Sequence, residues 1–146
     1  MKKTSSDLLL LDINVLLAIA WPNHQFHAAA IALLSSKRRW ATCALTQLGF
    51  IRLSSNPAAI PTAKSPEEAR DLLARLVADS LHVYLDSLPA PVSDDWRDAF
   101  LKLLGHQQVT DAYLLRLAAV NNAVLVTFDR RLENAAGGKP KVTVLG

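Results

Sequence analysis

The chain has 146 residues, 51% of them hydrophobic and 20% charged, with a formal net charge of +3 at pH 7. That suits one globular domain spanning 1–146 with a core of its own, and the mild basic excess permits a nucleic-acid partner without requiring one. Cys43 is the only cysteine, which excludes an intrachain disulfide and leaves a thiolate zinc site without ligands.

The start, MKKTSSDLLLL, has the short basic opening of a signal peptide, but Asp12 cuts the apolar run early and no clean cleavage site follows. No stretch of about 20 uninterrupted apolar residues occurs, so a cytoplasmic protein without a membrane span is expected. Leu8–Leu11 is a continuous apolar run, the pattern of a strand covered on both faces. Ile13 to Ala20 reads as helical or turn-like, ended by Pro22. A second helix carries Phe26, Ala30, Leu33 and Leu34 at helical spacing. RRWATC fits a short strand, with Cys43 as a buried, inert thiol. LTQLGFIRLSS reads as a short helix capped at or near Thr46, followed by a loop with two prolines.

SPEEARDLLARLVAD is the clearest helix. Ser65 is its N-cap, Pro66 occupies the first helical position and Glu68 completes a capping box. LHVYL is a strand. SDDWRDAFLKLLG reads as a helix from a Ser93 cap to Gly105. TDAYLLRLAAVNN reads as another, with Thr110 as N-cap and Asp111 in its first turn. AVLVTF and PKVTVL are strands, the last at an edge. Strands alternating with helices indicate an α/β fold, a three-layer α/β/α sandwich around a mostly parallel sheet.

In such sheets ligands bind beyond the carboxyl ends of the strands. Asp12 stands just past the first strand and Asp129 just past AVLVTF. A carboxylate at the end of an apolar run is costly to bury unless it is paired or binds a metal. If those two strands are neighbours, both carboxylates share one edge, and Asp111 reaches it if its helix feeds directly into AVLVTF. Such a cluster suits Mg²⁺ or Mn²⁺ and phosphoryl-transfer chemistry. Asn14, Thr127 and Arg130 stand where they could support the ligands or contact a phosphate. On spacing alone, turn and cap roles explain Asp12 and Asp129 equally well. An aspartyl-phosphate phosphatase would want D-x-D where Asp12 is followed by Asn14, and a receiver-type signalling domain would want a further acidic pair and a lysine.

Four blocks, LLDINVLLA, TQLGFIRL, GHQQVTDAYLLRLA and LVTFDRRL, occur in an order and spacing that resemble PIN-domain proteins, and among them the VapC toxins of bacterial toxin–antitoxin pairs. The resemblance covers nearly the whole chain. It implies an α/β/α sandwich and a metal-dependent endoribonuclease using Mg²⁺ or Mn²⁺, cleaving RNA to a 3′-hydroxyl and a 5′-phosphate. It also implies a small cognate antitoxin as partner and a homodimer, with the 65–76 helix and the helix containing Phe50 as the expected surfaces. Carried over, the first, third and fourth acids are Asp12, Asp111 and Asp129. The second acid is absent: Gln47 stands where the family usually has Glu, with Arg52 behind it. The only glutamates are Glu67, Glu68 and Glu133, none in that block. The alternative reading is a PIN-like RNA-binding module that has lost cleavage.

Other polar groups have plainer readings. His24 and His27 fit a solvent-facing helix start, and His106 fits a loop that could touch RNA. Arg38 and Arg39 read as strand-start residues beside a core Trp40. Asp94, Asp95 and Asp98 suit a helix N-terminus, where Asp favours the dipole, although one could supply the missing acid if the loop folds over the site.

Overall fold

The computed structural model describes residues 8–135 and 142–145. The basic start at Met1–Lys3 and the beginning of the PKVTVL segment lie outside the described residues. In chain order the elements are β1 (Leu8–Leu11), α1 (Ile13–Ala20), α2 (His27–Leu34), β2 (Trp40–Cys43), α3 (Ala44–Ser54), α4 (Pro66–Val77) and β3 (His82–Leu85). A 3₁₀ turn (Asp94–Trp96) then leads into α5 (Arg97–Leu101). A second (His106–Gln108) leads into α6 (Val109–Val120), β4 (Ala123–Thr127), α7 (Arg131–Ala135) and β5 (Val142–Val144).

All pairings are parallel, in the order β3-β2-β1-β4-β5. The chain builds outward from β1 through β2 to β3, then returns to place β4 on the other side of β1. The β1–β4 seam is therefore where the winding reverses, the place at which open α/β sheets form ligand crevices. Leu9 and Leu11 pack with Trp40, Phe50, Leu73 and the apolar face of α1, whereas Leu8 and Leu10 pack with Ala41, Leu114, Leu117 and Leu125. Alternate residues of one strand thus feed two cores, which is why Leu8–Leu11 has no polar position. Three layers result, as the sequence predicts.

Helix ends follow local chemistry. Ser65 accepts from the Glu68 N–H at 3.1 Å and Glu68 accepts from the Ser65 N–H at 2.9 Å, the expected capping box. Asn122, at φ 53°, turns the chain from α6 into β4 in the left-handed region that Asn tolerates.

Four expectations shift. α3 begins at Ala44 with Cys43 as N-cap, not at Thr46. Thr46 sits one turn in and its hydroxyl accepts from the Cys43 N–H at 3.0 Å, reaching back as Glu does in a capping box. The helix expected between Ser93 and Gly105 is a 3₁₀ turn followed by α5, ending at Leu101. Buried Trp96 fixes that turn by stacking on Phe100 and Tyr113 and donating to the Pro89 carbonyl at 3.1 Å. α6 begins at Val109, which leaves Thr110 inside the helix with Asp111 still in the first turn. His24 precedes α2: its Nδ1 accepts from the Phe26 N–H at 3.1 Å, while His27 Nδ1 bonds to the Ala18 carbonyl at 2.7 Å.

Gly49 sets the approach of α3 to the start of α1. A Cβ there would meet Ile13 Cδ1 at 2.3 Å and Cγ1 at 2.9 Å. We expect Gly49→Ala to destabilise by about 1–2 kcal/mol despite its better helix propensity, because overpacking moves Ile13. Urea unfolding in Ile13 and Ile13→Ala backgrounds checks this: the Gly49→Ala cost falls in the second background if the clash is its cause.

Candidate active site

β1 and β4 run in register from Leu8 against Ala123 to Leu11 against Val126. The Asp12 N–H extends the ladder by one bond, donating to the Val126 carbonyl at 2.9 Å. The chain then turns into α1 with Asp12 as its N-cap, one carboxylate oxygen accepting from the Ile13 N–H at 2.8 Å. The other accepts from the hydroxyl of Thr127, the last residue of β4, at 2.7 Å. Thr127 is fully buried, and its oxygen also accepts from the Asp129 N–H at 3.0 Å. One hydroxyl thereby links the first and fourth carried-over acids.

Asp111 arrives from the first turn of α6, the helix that leads directly into β4. Burial raises the Asp111 pKa above its ordinary value of 3.8, and the charges of Asp12 and Asp129 push the same way. Burial also raises the Asp12 pKa, against the hydrogen bonds from Thr127 and Ile13, with the Asp129 charge adding to the rise. The three acids named from the sequence therefore share one electrostatic environment at the carboxyl edge of the sheet.

Asp129 is held lower, chiefly by Arg131. The Arg131 Nε lies 3.0 and 3.1 Å from the two carboxylate oxygens, and a terminal nitrogen lies 2.5 Å from one of them. The Arg131 N–H adds a bond of 3.0 Å, so Asp129 also tethers the start of α7. The adjacent Arg130 is the guanidinium singled out in the sequence, but it is exposed and Arg131 is the one on Asp129. The available signal was spacing: an Asp two residues before the first residue of a helix accepts from that residue's N–H and brings its side chain alongside.

Arg131 and Asp111 also line a cleft of about 350 Å³ with Lys102, Leu104, Gln108 and Leu132. Asn14 follows Ile13 in α1, and its side-chain carbonyl is buried without a hydrogen-bond partner. Among the described residues no three His, Cys, Asp or Glu side chains are arranged to enclose a metal ion together. The donor types nonetheless suit a hard divalent cation: three carboxylates, two of them pushed toward protonation by burial and mutual repulsion, with an unsatisfied amide oxygen two residues after Asp12 in the chain.

Gln47 is half-buried on α3 and its amide nitrogen donates to the Thr42 hydroxyl at 3.0 Å. That hydroxyl lies 2.7 Å from His82 Nε2. Burial lowers the His82 pKa, with Asp79 opposing. The Thr42 oxygen accepts from Gln47, and the tautomer of the His82 ring sets which of the two partners donates in the second bond. His82 packs edge-on to Trp40, whose indole nitrogen donates to Asp79 at 2.8 Å. Gln47 is thus tied to β2 and β3 through its nitrogen. Arg52 is exposed in the last turn of α3, and Asp94 pairs with Arg97 at 3.0 Å.

Residues 9–138 match the profile of the PIN domain. The chain is 39% identical over 137 residues to Ribonuclease VapC38 of Mycobacterium tuberculosis, covering 92% of this chain and 94% of that protein. It is 40% identical over 125 residues to Ribonuclease VapC44 of the same species, covering 84% and 87%. In fold it is similar to a chain from the crystal structure of VapBC2 from Rickettsia felis bound to a promoter DNA fragment. There the TM-score is 0.62 at 13% identity, over 95% of this chain and 99% of that one.

The Asp111 shift has a measurable sign. With a folded pKa above the unfolded one, an ionised Asp111 destabilises the fold at neutral pH, and the effect disappears as pH falls through the raised pKa toward 3.8. We expect Asp111→Asn to melt above the unsubstituted chain at pH 7 in EDTA, with the gap closing by about pH 4. Thermal melts across that range check it.

Proposed function

The chain belongs to the PIN domain family, and from that premise we propose that it is a metal-dependent endoribonuclease, the toxin of a toxin–antitoxin pair. The observation that carries the reading is the mutual electrostatic influence of Asp12, Asp111 and Asp129 near the reversal of the sheet winding. The names of its relatives support the substrate class.

In this reading Asp12, Asp111 and Asp129 hold Mg²⁺ or Mn²⁺. A bound ion of this kind lowers the pKa of a water and neutralises charge on phosphate oxygens. The protein's own part is positional. Thr127 fixes one Asp12 oxygen and Ile13 the other, so the carboxylate presents a set face and loses little freedom on ligation. The positive end of α1 lies at Asp12 and offsets part of the acid–acid repulsion. Lys102 and Gln108 line the cleft beside Asp111, where a phosphodiester of RNA would lie against a cation and an amide. Asn14 supplies a free carbonyl oxygen to the same neighbourhood.

The partner proposed is a small antitoxin, with the toxin itself a homodimer. Exposed apolar groups concentrate around α5 and the turn after it, with Val92, Leu101, Leu104 and Val109 among them. The stripe of α4 is already covered, with Leu73 buried and Leu72, Leu76 and Val77 packed on the core. The α5 region is the better covering site for a partner. Among the described residues no helix is long and apolar enough to cross a membrane.

Asp12→Asn and Asp129→Asn should each lower RNA cleavage on the order of a hundredfold or more while leaving a cooperative melt, since each removes a ligand charge. A cleavage assay in Mn²⁺ beside thermal melts checks both. Full activity in either variant removes that residue from the site.

Gln47→Glu restores the charge that the family usually carries. It should tighten Mn²⁺ about tenfold, because a unit charge a few ångströms from the ion contributes on the order of a kilocalorie or more. Loss of the amide donor to Thr42 should cost about 1 kcal/mol of stability. Calorimetric Mn²⁺ titration and urea unfolding read the two effects; equal affinities place Gln47 away from the ion.

A further inference from the structure

The acidic cluster already holds a cation, supplied by the chain itself. Arg131 reaches both oxygens of Asp129 with its Nε and one of them with a terminal nitrogen, a forked contact on a single carboxylate. Its charge also acts on Asp111, opposing the effects of burial, Asp12 and Asp129 there. The Arg131 side chain is 70% exposed and borders the cleft shared with Asp111, Lys102 and Gln108, so nothing packed around it prevents it from swinging away. The backbone tether is separate: the Arg131 N–H bond to Asp129 survives any movement of the side chain.

We propose that Arg131 is an internal competitor of the divalent cation: its guanidinium neutralises Asp129, and a metal ion takes that carboxylate only as the guanidinium leaves for the cleft. The inference rests on the metal-site reading above and adds a residue that sets its affinity. It accounts for the geometry at Asp129, both of whose carboxylate oxygens are engaged by one guanidinium carried on an exposed side chain. A cation coordinated by Asp129 and a guanidinium hydrogen-bonded to both its oxygens compete for the same lone pairs. The exchange offsets one of the three negative charges at low metal, where three unpaired carboxylates would repel one another.

The test is calorimetric titration of Mn²⁺ into the full chain, its Arg131→Ala and Arg131→Lys variants, and Asp129→Asn, with melts in EDTA alongside. Competition predicts Mn²⁺ binding about tenfold tighter in Arg131→Ala, an intermediate gain in Arg131→Lys, and a lower melting temperature for Arg131→Ala in EDTA that added Mn²⁺ restores. A residue that only anchors α7 would give the same low melt with Mn²⁺ affinity unchanged or weaker, and that result overturns the proposal. Arg131→Lys, which keeps the charge but loses the fork, decides between the two outcomes should Arg131→Ala not fold. If Asp129→Asn leaves Mn²⁺ affinity unchanged, the metal-site reading fails and this inference with it. If Asp129→Asn weakens binding while neither Arg131 variant tightens it, only the inference fails.

Discussion

The hydroxyl of Thr127 is the joint on which the site depends. It is buried at the end of β4, donates to Asp12 and accepts from the Asp129 backbone. A threonine side chain has one proton to give and lone pairs to receive, and here both capacities are used across the seam of two parallel strands. The bond joins residues 115 apart in sequence. Any shift of one strand along the other would break it and would also exchange the two cores, because alternate residues of β1 face opposite layers. Register, core packing and carboxylate orientation are therefore one constraint.

Gathering acids at that seam opposes stability. Burial penalises the charged forms of Asp12 and Asp111, and neighbouring carboxylates add to the penalty. The fold offsets this with the N-terminus of α1, hydrogen bonds from Ile13 and Thr127, and Arg131 on Asp129. These are the compensations expected where a fold places like charges together. The surrounding apolar layers, with Leu10, Leu16, Leu125 and Val126 almost fully buried, hold the backbone against the repulsion.

Gln47 on α3 follows another logic. Its nitrogen belongs to a chain of bonds through Thr42 to His82, which packs on Trp40, itself bonded to Asp79. An amide can donate to Thr42 in a way that a carboxylate cannot. Gly49 on the same helix lets α3 approach Ile13, the neighbour of Asp12. The helix is thereby fixed both to β2 and β3 and to the start of α1.

Much of this was legible in the sequence. The fourfold leucine run, the alternation of strands and helices and the capping box at Ser65 each have a local physical cause, and each appears as expected. Asp12 and Asp129 could be placed at strand ends because a carboxylate terminating an apolar run has few other positions open to it. Helix starts were less legible. Thr46 and Thr110 have the chemistry of caps, yet tertiary packing set each helix boundary ahead of them. Sequence alone could not order the strands, so it could not say that β4 returns beside β1 and makes neighbours of residues from both ends of the chain. Nor could it choose between Arg130 and Arg131, which differ by one position and have the same chemistry. Only the turn into α7 decides which guanidinium meets Asp129, because the direction of a side chain is set by the backbone that carries it.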